Sequence, residues 1–228
     1  MHESSLTSQA TVQDIRHFYD QEFKRGVIKD EDRAYRWMAQ KLFRPYLERK
    51  KILDVGCGGG FFLKELHSVA ALAIGIDLSG EALRIASQNN PQGYLVQGSA
   101  EVLPYSDESF DCLSCLGSLE HFSNIPVALK EFRRVVREGG QLFLMVPNLF
   151  WYKDILSVLM TGDIGYRNQQ YEFFATVSKW KQIVLESGLK IENYWKYNGI
   201  SKSPLKQWLK DRLIPVNVSY HIIFACRR

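Results

Sequence analysis

The sequence predicts an α/β fold, a largely parallel sheet covered by helices on both faces. Two observations carry that expectation. From Lys51 to Val146 short apolar runs alternate with helix-period segments, the pattern of strands buried between helical layers. At the start of this region Lys51-Ile52-Leu53-Asp54-Val55 enters a turn, Gly56-Cys57-Gly58-Gly59-Gly60, and leaves it in a helical pattern at Phe61-Phe62-Leu63. A strand, a glycine turn and a helix bring bare backbone close to a ligand, because alternate positions of the turn carry no side chain. The 228 residues, 46% of them hydrophobic, suit one domain with a sizeable core.

The elements follow in order. Residues 1–10 read as disordered and 11–50 as helices punctuated by aromatics, among them Phe18, Tyr19, Trp37 and Tyr46. Residues 52–55 form the first strand and 61–69 the helix after the turn. Residues 71–77 (ALAIGID) make a second buried strand, and Ser79 caps a helix running to about Asn89, with Glu81 favouring its positive end. Residues 93–97 and 110–116 are the third and fourth strands. Ser123 or Asn124 caps a helix through Arg137, Glu138-Gly139-Gly140 ends it, and residues 141–146 form the fifth strand. Further on come a helix at 178–187 and strands at 189–195 and 218–226.

Two inserts interrupt this order within a single domain spanning 1–228. Residues 1–48 form an N-terminal helical cap and 49–147 the core. Residues 148–177 carry Phe150, Trp151, Tyr152, Tyr166, Tyr171, Phe173 and Phe174, and residues 197–217 hold a helix over 204–213. In open α/β sheets the ligand crevice lies at the carboxyl ends of the strands. The first insert leaves from that edge, so it reads either as a lid over a substrate site or as packing decoration.

Charge and cysteine usage narrow the classes. A net charge of +4 and a pI near 8.8 are too mild to imply nucleic acid without a clustered patch. No apolar run approaches the ~18 residues of a spanning helix. The polar N-terminal stretch lacks the apolar core of a signal peptide, so a cytoplasmic location is expected. Cys112 and Cys115 have redox or zinc spacing, yet they fall in a strand where positions three apart face opposite ways, and no second pair completes a site. No metal is implied.

The glycine turn does not fit a dinucleotide fingerprint. Counting from Gly56, the sixth position is Phe61 where that pattern needs glycine. What stands instead is acid-x-Gly-x-Gly-x-Gly: Asp54, Gly56, Gly58 and Gly60, with Cys57 inside the turn. Asp77, followed by Leu78, ends the second strand about twenty residues past the first glycine, where a carboxylate can accept from both hydroxyls of a ribose or simply cap the next helix. Ser99-Ala100-Glu101 follows the third strand, Ser109-Phe110-Asp111 opens the fourth, and Leu116-Gly117-Ser118-Leu119-Glu120-His121 follows it.

These segments, in this order over about residues 45–147, resemble the class I S-adenosylmethionine-dependent methyltransferases, in particular the small-molecule, type 11-like group. The resemblance implies a Rossmann-like, seven-stranded, mostly parallel sheet whose last strand is antiparallel. It implies S-adenosylmethionine as cofactor, S-adenosylhomocysteine as product, and contacts to the cofactor from Asp54, Gly56, Cys57, Gly58, Gly60, Asp77, Leu78, Ser99, Ala100 and Leu116. The family's usual acid at position 99 is here Ser99, whose hydroxyl can still accept from an adenine amine, while Ala100 would act through its backbone.

The implied reaction is a one-step displacement in which the protein mainly supplies alignment. His121 is the candidate general base, since an imidazole can take a proton near neutral pH. The competing reading has it packing or capping at its loop, and Glu120 beside it is expected to hold backbone or a neighbouring helix. Tyr19 or Arg36 of the cap could bind the cofactor's carboxylate, or belong to the helical core.

As acceptor, a small molecule with an apolar body fits the aromatic insert. Nucleic acid does not fit, because no proline-proline-aromatic or proline-cysteine motif stands at Ser114-Cys115-Leu116-Gly117. Leu205, Trp208, Leu209 and Leu213 share one face of the late helix with Lys206 and Lys210 on another, which is an ordinary surface helix or a membrane contact. Two competing functions remain: a non-catalytic S-adenosylmethionine-binding partner or regulatory subunit, and, against the failed glycine pattern, a nicotinamide enzyme.

Overall fold

The computed structural model describes residues 11–26, 32–163 and 172–228. The disorder expected for residues 1–10, and Tyr166 and Tyr171 of the aromatic insert, lie outside the described residues. Helix α1 (Val12–Arg25) opens on a capping box between Thr11 and Asp14 and closes on Gly26 in the left-handed region. Helix α2 (Asp32–Met38) runs through a π-helical turn (Ala39–Phe43) into the short α3 (Arg44–Leu47).

The alternating core then begins: β1 (Lys51–Val55), α4 (Phe61–Leu66), β2 (Leu72–Asp77), α5 (Gly80–Asn89), β3 (Tyr94–Gln97) and β4 (Phe110–Leu116). It continues through α6 (Ile125–Val135), β5 (Val136–Pro147), α7 (Tyr152–Thr161), α8 (Val177–Glu186), β6 (Lys190–Tyr197), α9 (Pro204–Leu213) and β7 (His221–Arg227).

The seven strands form one sheet in the order β3-β2-β1-β4-β5-β7-β6. Strands β1 to β5 pair in parallel, and β7 runs antiparallel between β5 and β6. The chain steps outward from β1 through β2 to β3, then crosses back to lay β4 on the other side of β1. That reversal opens a crevice at the carboxyl ends of β1 and β4.

Successive strand residues feed opposite layers. Leu53, Leu113 and Leu144 pack with Phe132 of α6 and Trp180 of α8. Ile52, Cys112 and Phe143 pack with Met38, Phe43, Leu47 and Phe62 on the other face. Phe43 stacks on Phe143 at 4.1 Å between ring centroids, which seats the N-terminal helices on the sheet. Cys112 and Cys115 belong to opposite faces of β4.

The largest departure from the sequence expectation is at 136–140. Helix α6 stops at Val135, and Val136 already pairs with Phe110. Val135 and Val136 are buried β-branched neighbours, which favour extended backbone, and Arg137 is held by Asp111 at 2.6 Å. Glu138-Gly139-Gly140 is therefore an irregularity inside β5 rather than the end of a helix, and the register shifts between Phe110 and Cys112 opposite it. Smaller differences are a shorter α4 and a later β7, whose expected start at 218 is taken by a 3₁₀ turn, Val216–Val218.

Candidate active site

The turn after β1 is held open by its backbone. Gly56, Gly58 and Gly60 have φ of 67°, 52° and 76°, values that L side chains rarely adopt. A β-carbon at Gly56 would also run into Ser118, and one at Gly60 would come within 2.5 Å of the Asn90 amide nitrogen. The amides of Gly56 and Cys57 both donate to the Ile76 carbonyl, at 2.8 and 3.2 Å, which fastens the turn to β2. From the end of α5, Asn89 donates to the Gly59 carbonyl and Asn90 to that of Gly60, at 2.8 and 2.9 Å.

Asp77 is fixed by two backbone amides. One carboxylate oxygen accepts from Gly58 and the other from Ser79, both at 2.8 Å. Both oxygens are thereby held at the cavity wall, where a carboxylate has the chemistry to accept from the hydroxyls of a ribose. Asp54 takes a different place. It is buried, and its Oδ1 accepts from the Ser114 hydroxyl at 2.6 Å across the β1–β4 pair. Neither Asp54 nor Gly60 is among the residues that line the cavity formed by this turn and its neighbours.

Gly56, Cys57, Gly58, Asp77, Leu78, Ser99, Ala100, Leu116, Tyr19 and His121 all line one cavity with an empty volume of about 940 Å³ that opens to solvent. The Ser99 hydroxyl accepts from the Glu101 amide at 3.2 Å, and the Glu101 carboxylate takes the Ser123 hydroxyl and the Asn124 amide, each at 2.8 Å. The loops after β3 and β4 are thereby joined along one wall.

Helix α1 forms the roof. Asp20 accepts from the Ser79 hydroxyl at 2.6 Å and from the Glu81 amide at 3.2 Å, so α1 is bolted to the N-terminus of α5. Ile15, Tyr19 and Phe23 reach the cavity from α1. The Tyr19 hydroxyl is buried with no hydrogen-bond partner. Burial, reinforced by the Glu120 carboxyl, pushes this phenol well above its ordinary value, so it stays a neutral donor. Arg36 is placed elsewhere: it meets Glu65 at 3.2 Å on the surface and does not line the cavity.

Tyr19 packs edge-on against His121, with ring centroids 5.5 Å apart. His121 closes a 3₁₀ turn, Leu119–His121, and is 8% exposed. Its Nε2 lies 3.8 Å from Oε1 of Glu120, an electrostatic neighbour beyond hydrogen-bond reach. Burial pushes the Glu120 carboxyl up to about 8. The backbone carbonyl of Glu120 accepts from the Phe173 amide at 2.8 Å, which ties the first insert to this turn.

Sequence reasoning did not find Asp20, Ser118 or the asparagine pair Asn89-Asn90. None has a local signature, since each acts across at least thirty residues of chain, as the Asn89–Gly59 bond does.

A glycine turn at the switch point of a Rossmann-like sheet, facing a fixed carboxylate across a roofed cavity, defines a domain that binds a nucleoside-bearing cofactor. Residues 53–144 match the methyltransferase domain family Methyltransf_11. That stretch is similar to the class I S-adenosylmethionine-dependent methyltransferases, a likeness that implies S-adenosylmethionine as cofactor.

The chain is 31% identical over 156 residues to an uncharacterised protein of Methanocaldococcus jannaschii, a match covering 65% of this chain and 58% of that one. It is 29% identical over 185 residues to the demethylmenaquinone methyltransferase of Chlorobaculum tepidum, covering 72% of this chain and 76% of that one. A crystal structure of an S-adenosylmethionine-dependent methyltransferase from Mesorhizobium loti superposes with a TM-score of 0.66 at 18% identity, over 86% of this chain and 99% of that one.

Proposed function

We propose that this chain catalyses methyl transfer to a small, partly apolar acceptor. The observation that carries the proposal is the shared cavity, with the glycine turn and Asp77 in its wall and Tyr19 packed on His121 under a helical roof. The residues fit the cofactor: Gly56 and Gly58 offer bare backbone, Asp77 offers two fixed acceptor oxygens, and Ser99 and Ala100 face the same space. Asp54 and Gly60 act through the turn, the first by joining β1 to β4 and the second by seating α4 against Asn90.

Bound there, S-adenosylmethionine supplies an activated methyl group. The buried Tyr19 hydroxyl, neutral and without a protein partner, is a donor for an anionic group such as the cofactor's carboxylate. His121 takes the proton of an acceptor that keeps it until attack. Phe122 and Leu116 give the cavity apolar wall, in keeping with an acceptor that has an apolar body. The bond from Phe173 to Glu120 supports reading the described parts of the first insert, 148–163 and 172–177, as substrate-side structure. That a relative is named a demethylmenaquinone methyltransferase supports a small-molecule acceptor.

The test is transfer of labelled methyl from S-adenosylmethionine into a fractionated small-molecule extract. Label is expected in an organic-soluble fraction. Tight binding of S-adenosylhomocysteine with label in no fraction would instead favour a non-catalytic, cofactor-binding partner.

A further inference from the structure

We infer that α7 and α9 form a face that docks on an anionic lipid bilayer. Their exposure is unusual for the type of residue they carry. No residue of α7 is buried, although its sequence is YKDILSVLMT, and Leu159 and Met160 are 77% and 81% exposed. No residue of α9 is buried either, and Leu205 and Leu213 are 65% and 68% exposed, with Trp208 half exposed between them. Apolar groups scattered singly on a surface need no account, but two helices that each turn an apolar face to solvent do.

The two helices are rooted on the same edge of the sheet. Trp151, at the start of α7, lies against Tyr220 with 4.5 Å between ring centroids. The Tyr220 amide donates to the Asn198 side chain at 3.0 Å, and the Asn198 carbonyl accepts from Lys210 of α9 at 3.2 Å. Tyr220 immediately precedes β7 and Asn198 immediately follows β6. The helices therefore flank the same strand ends from which the first insert departs.

Charge selects the occupant. Across the two helices and their flanks, Lys153, Lys202, Lys206, Lys210 and Arg212 stand against Asp154, Asp163 and Asp211, which leaves a positive balance concentrated around α9. Two cations also lie over tryptophan rings, Lys153 over Trp151 at 5.1 Å and Arg212 over Trp208 at 5.6 Å. Aliphatic and indole groups at the level of the acyl chains, with ammonium and guanidinium groups beside them at the level of the headgroups, match an anionic leaflet in both polarity and sign. No helix among the described residues is long and apolar enough to cross a membrane, so the contact is peripheral.

The test is cosedimentation of the full chain with vesicles of phosphatidylglycerol and phosphatidylcholine, against phosphatidylcholine alone, at low salt. Pelleting is expected with the anionic vesicles only, and is lost at high salt. Leu159→Asp with Met160→Asp is expected to abolish it, and Lys202→Glu with Lys206→Glu to weaken it by about tenfold or more. All four positions are on the surface, and an unchanged thermal shift with S-adenosylhomocysteine verifies that each variant is folded.

Equal binding to both vesicle types, or variants that pellet like the parent, would overturn the inference. So would an absence of pelleting together with a concentration-dependent dimer that Leu159→Asp dissolves, which would make the face an interface between copies. Vesicle binding needs no methyl transfer, so this result stands apart from the fate of the catalytic proposal.

Discussion

At the scale of single residues, burial beside the cavity favours neutral forms, and for Glu120 that is a form a carboxyl does not hold in water near neutral pH. The Tyr19 hydroxyl and the Glu120 side chain are buried near His121, and burial favours the neutral form of each. His121→Ala removes the one imidazole that lines the cavity among the described residues and leaves the glycine turn untouched. Turnover on the identified acceptor is expected to fall about a hundredfold or more, with S-adenosylhomocysteine affinity little changed, as read by single-turnover kinetics and calorimetry. An equal loss in both would mean that His121 shapes the cofactor site instead.

Glu120 gives a separate prediction about stability. The fold raises its carboxyl from the ordinary 4.5 to about 8, so the folded chain holds this proton more tightly than the unfolded chain does. Its contribution is therefore fully present below about pH 4.5 and is lost as pH rises through about 8. Glu120→Gln keeps the shape and removes the titration. In urea unfolding from pH 5 to 8.5, the parent is expected to lose on the order of a few kcal/mol relative to this variant. Parallel pH curves for the two proteins would refute the assignment.

At the scale of elements, the roof helix α1 is joined to the rest by few bonds. Asp20 takes both the Ser79 hydroxyl and the Glu81 amide, and Lys24 adds a surface ion pair with Glu81 at 3.6 Å. Asp20→Ala is expected to cost about 1–2 kcal/mol, to speed amide exchange along α1, and to weaken S-adenosylhomocysteine binding. Asp20→Asn, which keeps an acceptor oxygen, should retain most of both. Exchange confined to α1 would show that the roof opens locally; uniform exchange would show that Asp20 supports the whole fold.

The same elements show what could be read from sequence. The glycine turn, the Ser79 cap and the strand endings at Asp77 and Leu116 were legible because each is written in adjacent residues. The Asp20–Ser79 bond joins residues 59 apart, and no local pattern announces it. Arg36 illustrates the converse: the resemblance offered its guanidinium for the cofactor's carboxylate, but packing pairs it with Glu65 and leaves it off the cavity wall. The end of α6 was misplaced because Glu138-Gly139-Gly140 reads as a helix stop, whereas pairing with β4 had already drawn Val136 into the sheet.

At the scale of the whole molecule, the strand order could not come from periodicity, because alternating apolar runs do not say which strand neighbours which. The reversal between β1 and β4 nevertheless decides where every functional group converges: the turn from β1, Asp77 from β2, Ser99 and Ala100 after β3, and His121 after β4. Four separate strand ends and α1 meet on one cavity, so a ligand that fills it links both halves of the parallel sheet to the roof. Its binding should therefore stabilise the fold as a unit and not one segment alone.

With S-adenosylhomocysteine at about a hundred times its Kd, the added stability is about 2.7 kcal/mol, which corresponds to a rise in Tm of roughly 5–10 °C for a chain of this size. NAD at the same concentration is expected to give none, since Phe61 stands where a dinucleotide turn needs its third glycine. Differential scanning fluorimetry decides between them. A shift with NAD would return the chain to the nicotinamide class, and a single sharp transition moved intact by S-adenosylhomocysteine would show that roof and sheet melt together.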